Sequence, residues 1–139
     1  MTTRRKIIKV PRGEARLYLA KAKQFSEEAA AAITGSRNDA AMLNAVHAAI
    51  SAADAVSVAL GGRRSADSDH QRATDLLQEV GAKSAGMSDA LRQLRMVLAK
   101  KNAVEYESRR ASAKEAADVV ERAARLVSWA SQVVEAARL

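Results

Sequence analysis

Cysteine is absent from this chain, and proline occurs once in 139 residues. Without cysteine there is no disulfide framework and no thiolate zinc site. Two histidines are too few for a metal cluster unless carboxylates complete it. Phosphate-cradling glycine loops, the nucleophile elbow and the HExxH zinc motif are all missing, so no metal and no cofactor are expected. Aromatic residues make up only 3% of the chain, too few for a typical sheet-built core. Alanine is abundant, which predicts a nearly all-helical protein. No segment reads as a membrane span and the N-terminus lacks an apolar secretory core. The expected setting is the cytoplasm, with no membrane partner.

The length suits one ordinary domain with a real core. Formal charge is +7, unevenly spread. Residues 1–12 hold Arg4, Arg5, Lys6, Lys9 and Arg12 without an acid. Residues 1–12 therefore read as a basic arm, and 13–139 as a single helical bundle. Such an arm suits phosphate contacts, which give salt-sensitive affinity for nucleic acid. The plainer expectation is a solvated, frayed terminus.

Within the bundle, residues 40–60 carry only one charge, Asp54, although 28% of the chain is charged. A helix without a charged face is enclosed by others. At 100° per residue, Met42, Val46, Ala49, Ile50, Ala53, Val56 and Leu60 share one broad side. Asn44, His47, Ser51 and Asp54 form a narrow polar stripe roughly opposite, and much of the remainder is alanine. A central helix with a polar seam follows from this pattern.

Around it the periodicity predicts a first helix over about residues 13–34, with Leu17 or Tyr18, then Ala22, Phe25, Ala29 and Ile33 facing inward. Gly35 supplies its stop, and residues 36–39 offer N-caps for the central helix. A third helix is expected over 69–80, capped by Ser68 or Asp69, and a fourth starts at a Ser88 cap and ends near Lys100 and Lys101. Residues 101–111 show no apolar period and read as a connector. Ser112 and Glu115 match a capping box for the last helix, whose broad apolar face includes Val119, Leu126, Trp129 and Val133.

Two histidine-centred sites stand out. His47 lies on the stripe with Asn44, Ser51 and Asp54. It is two turns from Asp54, too far for a direct bond without Ser51 or water between them. Such an imidazole is placed to act as a base, although a histidine in a helix seam is more often a satisfied packing residue. The second site is Arg64-Ser65 followed by His70. Metal-free RNA cleavage needs a group that takes the ribose 2′-OH proton and a cation that stabilises charge on the phosphate. His70 and Arg64 supply that pair. With arginine this abundant the spacing also arises by chance, and Asp67 and Asp69 work against an anion site.

The segments ARLYLAKAKQFSEEA, DAAMLNAVHAAISAADAV and GRRSADSDHQRATDLL, and the Lys101, Glu105, Tyr106 pattern before a long last helix, resemble a HEPN domain, the higher eukaryotes and prokaryotes nucleotide-binding helical bundle. The resemblance covers about residues 14–136. It implies an all-α, up-and-down bundle of four to five helices, a homodimer or a complex with a partner such as a nucleotidyltransferase, and a place in toxin–antitoxin, phage-defence or RNA-processing systems. Catalytic members are metal-independent endoribonucleases with an arginine, a polar neighbour and a histidine four to six residues after the arginine, which Arg64, Ser65 and His70 match. In this chain the motif opens the third helix and not a later one. Two functions follow as expectations. One is RNA cleavage by Arg64 and His70, with Arg63, Lys100, Lys101, Arg109 and Arg110 as a phosphate track. The other is a non-catalytic interaction module. A small-ligand pocket of Asn44, His47 and Tyr106 is a third arrangement.

Overall fold

Six helices order this molecule, a computed structural model that describes residues 5–139. They are α1 (Ala15–Thr34), α2 (Asn38–Gly61), α3 (Gln71–Gly81), α4 (Met87–Leu98), the short α5 (Lys101–Tyr106) and α6 (Ala113–Ala136). A two-stranded antiparallel ribbon, β1 (Ile7–Lys9) with β2 (Arg63–Ser65), lies at one end. The expected all-α bundle is the architecture observed.

The core forms around α2. Thirteen of its residues are buried, and they occupy most of its circumference. Ala41, Ala45, Ala48, Ala52, Ala55 and Ala59 are wholly out of solvent, interleaved with Met42, Val46, Val56 and Val58. Alanine keeps the helix radius small, so α1 and α6 pack closely against α2 while α3 and α4 cover another side. The expectation that no segment reaches membrane-span length is corrected here. By length and composition α2 qualifies, but most of it is buried against its neighbours, which accounts for its apolar character.

Helix ends depart from expectation in instructive ways. Gly35 is the C-cap of α1 as expected, its amide donating to Ala31 O at 3.0 Å, but the left-handed residue is the next one, Ser36. No side chain from residues 36–39 caps α2. Instead Asp39 accepts from the Ala111 amide at 2.9 Å and Asn38 donates to the Ala111 carbonyl at 3.4 Å, pinning the connector before α6. Asp69 does serve α3, accepting from the Gln71 amide at 3.1 Å. Ser88 is not a cap, because α4 already begins at Met87 behind Gly86. The capping serine of α6 is as expected, with Ser112 Oγ accepting from the Glu115 amide at 3.0 Å. Residues 101–106, read as connector, form a helical turn closed by Lys101 and Glu105 four residues apart, 3.0 Å between Nζ and Oε2.

The largest correction concerns the N-terminal arm. Residues 1–4, Arg4 among them, lie outside the described residues, but residues 5–12 are not frayed. Ile7, Ile8 and Lys9 align with Ser65, Arg64 and Arg63. Val10 N–H donates to Gly62 O and Ala66 N–H to Lys6 O, both at 2.9 Å. Arg5 meets Glu79 at 2.8 Å, and Arg12 Nε donates to Ala59 O at 2.7 Å. The ribbon's pairing explains why a basic run adopts a strand: the arm completes amides of the segment after α2 that would otherwise face only water.

The turn out of α2 depends on Gly62, whose φ of 63° is left-handed and whose amide closes on Val58 O at 2.9 Å. A side chain there costs about 1 kcal/mol from backbone strain. Gly62→Ala should therefore lower unfolding free energy by about 1 kcal/mol in urea titrations. An unchanged midpoint would show that the turn adopts another conformation.

Candidate functional site

The polar stripe of α2 becomes a half-buried seam because neighbours flank it on both sides. On one flank the short turn after α1 brings that helix back antiparallel. Phe25 meets His47, with ring centroids 5.3 Å apart, and Lys21 comes near enough to Asp54 to act on its charge. On the other flank lie β2, the start of α3, and α5. Asn44, His47, Ser51 and Asp54 are all partly buried, so none faces bulk water fully.

Two groups of side chains occupy the seam. At the end nearer the ribbon, burial pushes the Asp54 carboxyl up to about 7, against the pull of Arg64 first and Lys21 second. Arg64 extends from β2 across the Tyr18 ring, its guanidinium carbon 5.9 Å from the ring centre, and Lys21 Nζ lies 5.8 Å from the same centre. Arg64 Nη1 donates to Ser65 O at 3.2 Å, while its buried Nε has no hydrogen-bond partner among the described residues. The donor count of this guanidinium is thus underused in a place where unpaired donors are costly.

At the other end, His70 stands just before α3, and burial holds its pKa below the ordinary histidine value. The Lys101 cation and His47 push the same way, while Glu105 and Asp69 oppose. Glu105 in turn is held low, chiefly by its hydrogen bond from Lys101. Lys101 is held high by the same bond, and its Nζ lies 5.4 Å from the Tyr106 ring centre. Both histidines of the chain therefore bear on one spot, although they are 23 positions apart in sequence.

The candidate residues separate accordingly. His47, His70, Lys101 and Tyr106 belong to one neighbourhood, and Asp54 and Arg64 to the other. Arg64 turns to Tyr18 and Asp54, whereas the charges acting on His70 are Lys101, Glu105, His47 and Asp69. Asn44 spends its amide on the Ala40 carbonyl at 2.9 Å, one turn back in its own helix. Arg63 points the other way from Arg64, meeting Glu79 at 3.6 Å beside Arg5. Arg109 and Lys100 share Glu115, at 3.3 and 3.8 Å. The expected phosphate track is therefore largely matched by carboxylates within the chain. Sequence reasoning read Tyr18 and Phe25 only as core residues. Their part in the seam follows from the antiparallel offset of α1 against α2, which no local pattern encodes.

Compared with known protein families the chain matches none, and no curated protein shows detectable similarity to it. The chemistry of the seam is left to carry the functional argument.

Asp54 gives a pH test with a fixed sign. Its folded pKa of about 7 exceeds the usual 3.8, so between those values the folded state holds a proton that the unfolded state has lost. Stability linked to this group is full below about pH 4 and declines until about pH 7. The effect at full ionisation is on the order of 4 kcal/mol at most. Asp54→Asn removes the titration, so its stability relative to wild type should climb from pH 5 to pH 8 in denaturant melts. A constant difference across that range would contradict the burial of the carboxyl.

Proposed function

We propose that the protein is a HEPN-like, RNA-associated helical bundle that cleaves single-stranded RNA without metal, as a component of a toxin–antitoxin or phage-defence system. The supporting observation is His70, biased towards its neutral form by burial and by the adjacent Lys101 cation. A neutral imidazole next to a fixed cation suits proton removal beside a phosphate. In the reaction the ribose 2′-oxygen attacks phosphorus and its proton passes to His70. The P–O5′ bond then breaks, leaving a 2′,3′-cyclic phosphate and a 5′-hydroxyl whose proton comes from solvent. Lys101 balances charge on the phosphate oxygens, and Arg64 acts further along the seam. The need for a 2′-OH restricts the reaction to RNA.

A second reading has its own support. Arg64 is committed to Asp54 and Tyr18, not to His70. That arrangement suits a non-catalytic module that binds a second copy or a partner such as a nucleotidyltransferase through its helical faces. Trp129 and Val133, partly buried on α6 at the edge of an apolar hollow of about 320 Å³, are candidates for that contact.

Purified protein in excess chelator separates the two. Cleavage predicts RNA fragments ending in cyclic phosphate and at least about a hundredfold loss in His70→Ala. Because the His70 pKa is lowered from 6.5, the acidic limb of the rate profile should bend below pH 6.5. Equal degradation by wild type and His70→Ala would exclude the nuclease. Intact RNA with a stable dimer or hetero-complex, weakened by Trp129→Ala, would favour the second reading.

A further inference from the structure

Of the four aromatic side chains in the chain, Tyr18, Phe25 and Trp129 are packed against the core, while Tyr106 is 74% exposed. A tyrosine ring offers one of the larger apolar gains available on burial, so leaving it in water forgoes stabilisation. Tyr106 closes α5, six residues with no buried member, so its ring is not spent on holding that helix to the bundle. Lys101, at the start of the same helix, lies 5.4 Å from its ring centre and is fixed there by Glu105 at 3.0 Å. A tyrosine ring largely open to solvent, with an oriented ammonium over one face, matches what a nucleotide presents: a base that stacks and a phosphate that is anionic. Neither group reads base identity, since every base has a π-face and the lysine meets only the backbone.

We infer that Tyr106 and Lys101 form a nucleotide subsite, in which a single-stranded base stacks on Tyr106 while its phosphate contacts Lys101. The subsite rests on the proposed RNA reading and adds where the strand lies: the base on Tyr106 flanks the phosphate beside His70. Selection is for unpaired RNA with little sequence preference, because a base within a duplex is stacked on its neighbours and offers no free face.

The test measures binding, so that it stands apart from cleavage. A short fluorescein-labelled oligoadenylate is titrated by anisotropy into His70→Ala protein carrying, in turn, the native Tyr106, Tyr106→Phe, Tyr106→Trp or Tyr106→Ala. The aromatic substitutions should hold the affinity, and Tyr106→Ala should weaken it about tenfold. Oligonucleotides with one abasic position, scanned along the strand, should include one whose loss with Tyr106 present disappears in Tyr106→Ala. Affinity unchanged by Tyr106→Ala, or abasic losses that simply add to it, would overturn the subsite even if wild-type protein cleaves RNA. Coupling between the abasic position and Tyr106 with no cleavage by wild type would uphold the subsite and sink the nuclease. Absence of any RNA binding would remove both.

Discussion

Close approach to an alanine-lined helix is the constraint on which this structure depends. The wholly buried alanines of α2 allow α1 and α6 to approach it closely. At that separation the polar stripe of α2 cannot lie open to water, and its side chains are left facing other protein groups. Larger residues at those alanines would force the neighbouring helices apart, and the seam would fill with solvent. The raised Asp54 and lowered His70 pKa values are consequences of that packing, since burial is the leading cause of each.

The two ends of the seam are held by different means. At His70 the support is helical: Asp69 accepts from the first amide of α3, and α5 is closed by its lysine–glutamate pair. At Arg64 it is strand pairing to the N-terminal arm, backed by Arg5 on Glu79 and Arg12 on Ala59. Two of the arm's cations, Arg5 and Arg12, are therefore used inside the molecule. Basic composition alone overstates the field that a polyanion would meet, because Arg63 shares Glu79 with Arg5 and Lys100 shares Glu115 with Arg109.

The bundle was legible in the sequence because α1, α2, α4 and α6 carry their inward faces at regular helical spacing. The enclosure of α2 followed from its single charge, and its stripe of Asn44, His47, Ser51 and Asp54 emerged partly buried as the pattern implied. The ribbon was not legible, since its stability lies in pairing residues 7–9 with 63–65 across the whole α1–α2 hairpin. Arg64 could not be placed beside Asp54 for the same reason: its direction is set by strand register. His47 and His70 each stood out, yet their convergence depends on how α3 and α5 sit over α2, which local periodicity does not specify.

The only tryptophan donates from Nε1 to the Ala85 carbonyl at 2.9 Å, at the joint between α3 and α4. The next residue, Gly86, has a φ of 80°, and a β-carbon there would stand 3.0 Å from the same nitrogen. The indole is thus fitted to a bare stretch of main chain on one side of the bundle, far in sequence from the ribbon and the histidines. Its ultraviolet emission is a single-site optical signal that reports that joint opening.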